Sequence, residues 1–327
     1  MYKLLTISCY FGKLPEHFPE FLRSVEMNPT IDFLLVTDCK IDGPPANVRV
    51  YPCSFEELKH RIQQLYDFPI VLDRPYKLCD YKPVWGLAFP EYIKNYDFWG
   101  YCDMDLIFGN IRQYLPDSVL EAYDKFYKLG HLTFYRNTTE NNLRYQLDGG
   151  VNYKSAFTTP DILAFDEIAG IQNIYEKHHF PCYISRDYAD ITYGKVRFTL
   201  SYFHIPEELI ETNNYDKQVF YWEDGHVYRA YLKNGEILRE EFNYIHFSKR
   251  RMTRNDLPEG CSSFYITNKG LFPKTEAVCM EDFDRYNRYE AIPEILRAAE
   301  CWYRGKREMA KYYLKIIKRK LGALKLL

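Results

Sequence analysis

The sequence has no apolar run near the ~18 residues that a membrane-spanning helix requires. Its N-terminal apolar stretch ends at Lys13, Pro15 and Glu16, too short for a secretory signal peptide. None of the nine cysteines forms a Cys-x-x-Cys pair, which argues against a zinc ribbon and against a disulfide framework and leads us to expect a reducing cytoplasm. Internal repeats, low-complexity tracts and long linkers are also missing. The formal net charge of −2 leaves no electrostatic footprint for general nucleic-acid binding. What the chain has in excess is aromatic residues, 17% of the total, with 31 Tyr and 22 Phe. Most of these rings are expected in the core. A length of 327 residues allows one large α/β domain or two ordinary ones.

Strand and helix patterns alternate along the first hundred residues. Lys3–Tyr10 reads as a buried strand, Pro15–Val25 as a helix, Ile31–Thr37 and Val48–Tyr51 as strands, and Phe55–Tyr66 as an amphipathic helix. Pro83 opens a further helix, and Asp97–Cys102 is a strand running into Asp103. This order predicts a mostly parallel sheet flanked by helices, with ligands outside the carboxyl ends of its strands. Tyr10–Lys13, Asp38 and Asp103–Asp105 are therefore expected on one rim. Further on, Gly130–Arg136 reads as a strand and Thr158–Ala169 as a helix. Residues 219–245 read as a β meander with turns at Glu223-Asp-Gly225 and Lys233-Asn-Gly-Glu236. The end is helical from Pro293. A catalytic domain over 1–250 and a helical extension over 251–327 are expected.

The strongest local signal is Tyr101-Cys-Asp103-Met-Asp105. Two carboxylates two residues apart, just past an apolar strand, can reach one hard divalent cation such as Mg²⁺ or Mn²⁺. With the order of elements, this pair resembles the GT-A-fold glycosyltransferases, more closely the bacterial polysaccharide-biosynthesis enzymes. The resemblance covers residues 1–250. It implies a GT-A-like fold, a nucleotide-sugar donor (a UDP-sugar is expected) and a metal held on the diphosphate by Asp103 and Asp105. Cys9-Tyr-Phe-Gly12 would face the nucleotide, with Tyr10 or Phe11 stacking on the base and Gly12 allowing close backbone approach. Asp38 resembles the position that bonds the base or ribose. Lys77 and Asp80, ahead of the Pro83 helix, resemble further nucleotide contacts. Tyr244-Ile-His246-Phe-Ser-Lys249-Arg250-Arg251 resembles the segment that gives a His to the metal and a cation, Lys249 or Arg250, to the diphosphate. Asp148, in Leu147-Asp-Gly-Gly-Val151, and Asp187 resemble acidic residues that serve the reaction itself, with Asp190 the next candidate.

Two other function classes stay open at this point. An Asp-x-Asp pair after a buried strand also occurs in haloacid-dehalogenase-type phosphatases, and the aromatic content suits a non-catalytic sugar-binding protein. A last expectation concerns the tail. Residues 303–327 hold nine Lys and Arg against the single acid Glu308. Ala310, Tyr313, Ile317, Leu321 and Leu324 form an apolar stripe among these cations, which suits an anionic membrane surface. The enzyme is thus expected in the cytoplasm, peripheral on the inner face of the membrane, near a glycan or polyprenyl-linked acceptor, and away from nucleic acid.

Overall fold

The structure is a computed structural model that describes residues 1–201, 214–248 and 250–324, with side chains described as far as residue 307. The chain forms β1 (Leu4–Tyr10), β2 (Ile31–Thr37), β3 (Val48–Pro52), β4 (Phe98–Cys102), β5 (Leu106–Phe108), β6 (Lys125–Phe126), β7 (Leu132–Arg136) and β8 (Cys182–Tyr183). All but β5 join in one seven-stranded sheet of order β3-β2-β1-β4-β7-β6-β8. β3, β2, β1 and β4 are mutually parallel, and β7 turns antiparallel against β4. The fold is the expected α/β architecture, a mostly parallel sheet flanked by helices.

The near-continuous apolar runs of β1 and β2 follow from burial on both faces. The two-residue strand period splits them between two cores. Phe33 and Leu35 pack on one side with Phe21 and Val25 of the helix Phe18–Glu26. Leu34 and Val36 pack on the other with Leu58 and Ile62 of the helix Phe55–Gln63. That helix starts at a reciprocal cap in which Ser54 and Glu57 satisfy each other's backbone amides.

The later strands are β9 (Ala189–Asp190), β10 (Gln218–Glu223), β11 (His226–Lys233), β12 (Glu236–Phe242), β13 (Tyr244–His246), β14 (Ser263–Thr267) and β15 (Gly270–Pro273). The meander turns fall where expected. Asp224, Gly225, Asn234 and Gly235 all have positive φ, as two-residue hairpin turns require. The expected boundary at residue 250 does not hold. β14 pairs with β10, so the five-stranded sheet of order β12-β11-β10-β14-β15 draws strands from both sides of it. Phe264, Ile266 and Leu271 join the same apolar core as Phe33 and Phe108. The stretch after 250 is thus β structure first, and helices begin only at Met280–Asn287, followed by Ala291–Leu324.

Two helix expectations are also corrected. The helix expected from Pro83 is broken into two short α-helices, Trp85–Ala88 and Pro90–Ile93, and Pro83 itself lies in the preceding 3-10 helix Pro75–Val84. Residues 158–167 are not helical, because the carboxylate of Asp80 takes the amide protons of Leu163 and Phe165 that a helix would use internally.

Candidate functional site

The carboxyl ends of β1, β2 and β4 share one edge of the sheet, and the chain leaves β4 directly into Asp103-Met-Asp105. Three hydrogen bonds hold the backbone of this short loop. The Asp103 amide donates to the His131 carbonyl at 2.9 Å, His17 Nε2 meets the Met104 carbonyl at 2.9 Å, and the Phe247 amide donates to the Asp105 carbonyl at 3.0 Å. His131 is in place because Leu132, opening β7, is in register with Cys102 at the end of β4.

A second, three-stranded sheet brings further polar side chains to this loop. Its order is β5-β13-β9, with His246 in register with Leu106 on one side and Asp190 on the other. Register therefore sets the imidazole between two carboxylates. His246 Nδ1 lies 2.7 Å from Asp190 Oδ1, and Nε2 lies 3.4 Å from Asp105 Oδ2. Ser248 donates to the same Asp190 oxygen at 3.1 Å, and the His131 ring stacks on His246 with centroids 4.4 Å apart. Burial pushes the imidazole pKa down, but Asp105 and Asp190 outweigh it and lift it to about 10. Asp190 is correspondingly held below the usual carboxylate range; burial opposes this and the His246 hydrogen bond prevails.

One ligand atom from each of Asp103, Asp105 and His246 lies within 4.8 Å of the other two. Two carboxylate oxygens and an imidazole nitrogen form a competent donor set for Mn²⁺ or Mg²⁺. A carboxylate fixing the far nitrogen of the imidazole is the usual support of a metal-binding histidine. The residues fit a divalent cation.

Lys82 also reaches this site, and sequence reasoning passed over it in favour of Lys77. Its ammonium bridges Asp103 Oδ1 at 2.7 Å and Asp166 Oδ2 at 2.9 Å, and donates to the Gly130 carbonyl at 2.9 Å. Asp166 is almost fully buried, and burial raises its carboxyl to about 7 against the pull of Lys82. A cleft beside this bridge is lined by Cys9, Tyr10, Trp85, Tyr101, Asp103 and Met104. The available signal was spacing: Lys82 lies five residues past Lys77, and which of the two turns inward depends on the packing of the 3-10 helix.

The other expected residues divide into three groups. On the rim, Gly12 has φ +97° and its amide donates to Asp38 Oδ1 at 3.0 Å, so the loops after β1 and β2 are tied together next to Tyr10. Several expected residues are structural instead. Lys77 and Asp80 are fully buried and face each other at 2.5 Å, with Lys77 also donating to the carbonyl of Ala156, so neither can meet a nucleotide. Phe11 is buried edge-on against Phe55 and does not offer a stacking face. The Arg250 guanidinium is spent on the carbonyls of Phe247, Thr192 and Lys195. Lys249 lies outside the described residues.

The two expected reaction carboxylates also stand apart from the cluster. Asp148 is exposed and paired with Lys177 at 2.8 Å and His178 at 3.0 Å. Asp187 contacts Tyr127 at 3.4 Å, and the ring of Tyr244 stands between Tyr127 and His131. The carboxylate that does reach the cluster is the reserve candidate, Asp190.

The family of unknown function DUF6625 matches residues 6–275, and the chain belongs to that family. No curated protein sequence matches it. Among solved structures it overlaps the galactosyltransferase LgtC in complex with donor and acceptor sugar analogs, at TM-score 0.34 and 8% identity, covering 57% of this chain and 75% of that one. An active-site mutant of LgtC gives TM-score 0.34 and 9% identity, with 57% and 74% covered. A glycosyltransferase involved in glycosylation of the major capsid of PBCV-1 gives 0.32 and 9%, with 57% and 85% covered.

Proposed function

We propose that this member of the DUF6625 family is a metal-dependent glycosyltransferase, moving a sugar from a nucleotide-sugar, a UDP-sugar in the first instance, to a glycan or lipid-linked acceptor in polysaccharide biosynthesis. The observation that carries the reading is the convergence of Asp103, Asp105 and His246 at the carboxyl edge of the parallel strands, where open α/β sheets bind ligands. Asp103, Asp105 and His246 would hold Mn²⁺ or Mg²⁺. A cation bound there supplies neutralising charge for the departing nucleoside diphosphate.

The rest is done by this chain's own groups. Asp190 fixes the imidazole so that Nε2 faces the carboxylates. Lys82 positions Asp103 from behind and brings positive charge to the same cleft. The Gly12–Asp38 link and Tyr10 form the edge against which a nucleoside would lie. The proposed location is the cytoplasm, where the reducing milieu suits the free thiols.

The test is a thermal-shift panel of nucleoside diphosphates with and without Mn²⁺, run on the full chain and on Asp105→Asn. A ligand at ~100 times its Kd adds about 2.7 kcal/mol, a rise of ~4 °C for a chain of this size. Stabilisation by UDP that needs both Mn²⁺ and Asp105 supports the reading. Stabilisation by phosphate analogues with Mg²⁺, and none by any nucleotide, would turn it toward phosphatase chemistry.

A further inference from the structure

The C-terminal helix is Ala291–Leu324, and its described side chains, residues 291–307, meet the body with the wrong side inward for an ordinary amphipathic helix. The contacts of this described part with the body are hydrogen bonds and cation–ring contacts. Glu294 accepts the amides of Val196 and Arg197 at 2.9 and 2.7 Å, Arg297 donates to the Tyr193 carbonyl at 3.1 Å, and Arg304 meets the Tyr193 hydroxyl. Pro293, Glu294, Arg297 and Cys301 are the shielded positions of its described part. Ile292, Ile295, Leu296, Trp302 and Tyr303 are between 64% and 73% exposed. At 3.6 residues per turn these five fall on one stripe, opposite the shielded side.

By helical phase alone the same stripe runs on through Ala310, Tyr313, Ile317, Leu321 and Leu324. At 34 residues the helix is long enough to span a membrane but too rich in charge to do so, and no helix among the described residues is both long and apolar enough to cross one. Residues 303–327 carry nine Lys and Arg against one acid.

We infer that this outward stripe, starting at Ile292, is a docking face for an anionic lipid surface, and that the polar underside of the helix fastens the body to that surface. Charge selects the occupant. A second copy of the helix laid against the stripe would bring like charge against like charge, whereas an anionic leaflet neutralises it and takes up the exposed Trp302 and Tyr303 at headgroup depth. This inference does not depend on the nucleotide reading, since the stripe and the metal cluster share no residue.

The experiment uses the full chain with vesicles of phosphatidylcholine, alone and with added phosphatidylglycerol, at low and high salt. Trp85, Trp99 and Trp222 are at most 1% exposed, so quenching by brominated lipid reports on Trp302. Expected are flotation with the anionic vesicles only, loss of flotation at high salt as the Debye length shortens, and quenching that disappears in Trp302→Phe. Leu296→Ser with Tyr303→Ser should weaken binding about tenfold or more. Both positions are exposed, and an unchanged melting curve checks that the fold is kept. Failure of the full chain to float at low salt overturns the inference, as does equal flotation with neutral vesicles. So does a concentration-dependent dimer that Leu296→Ser dissociates while vesicles stay unbound.

Discussion

Single side chains divide here into those free to face the candidate site and those spent on the fold, and burial with partners decides which. Asp103 and Asp105 sit on a rim loop whose backbone is fixed by its own hydrogen bonds. Asp103→Asn or Asp105→Asn should therefore abolish Mn²⁺-dependent binding of a nucleoside diphosphate in calorimetry, while the protein still melts cooperatively at a lowered temperature because each carboxylate also pairs with a shielded cation. His246→Ala should weaken binding less, because two carboxylates remain. Lys77 is the opposite case. Its fully buried pairing with Asp80 means that Lys77→Met strands a carboxylate in the core, at a cost of ~3–5 kcal/mol. Any protein that still folds should bind nucleotide normally, and a selective loss of nucleotide affinity would return Lys77 to the site. Asp187 makes a pH prediction. Burial, against hydrogen bonds from Ser185, Tyr127 and Asn243, raises its carboxyl to about 7, whereas the unfolded value is ~3.9. Folding thus favours the protonated form, and the stability this gives is complete below the unfolded pKa and lost as pH rises toward 7. Asp187→Asn should match the parent near the low end of that window and melt a few degrees higher at pH values above it.

At the level of elements, the site exists because strands end or pair where they do. The β5-β13-β9 register puts His246 between Asp105 and Asp190, and the β4–β7 register puts His131 beneath Asp103. Local sequence specifies some elements completely. The turn at Asn234-Gly235 has positive φ at both residues, as Asn-Gly foretold. Gly235→Val should cost ~1–2 kcal/mol by forcing a β-branched residue into the left-handed region, with metal-dependent nucleotide binding unchanged in calorimetry. Other elements have no local signature. Residues 158–167 carry a helical pattern, yet Asp80, some 80 positions earlier, captures their amides. No window of sequence around residue 160 contains that carboxylate.

Across the whole molecule, the expected division at residue 250 fails because β14 is the neighbour of β10. A chain ending at 250 exposes the edge of β10 and removes Phe264, Ile266 and Leu271 from the core. It should fail to give a cooperative melt by circular dichroism, whereas a chain ending at 290 should melt cooperatively. Composition and periodicity by themselves determined the parallel strands, the meander turns, the acidic pair after β4 and the cationic amphipathic tail, since each is written in a contiguous stretch. Tertiary structure alone decided which charges meet at the candidate site. Lys77 and Lys82 lie on one short 3-10 helix, yet packing seals the first in the core and turns the second to Asp103. Asp190 and Asp187 lie three residues apart, yet only Asp190 meets His246, because β9 pairs with β13 at that position. A carboxylate's role follows from its neighbours across the fold, and those neighbours are set by strand pairing over more than fifty residues of chain.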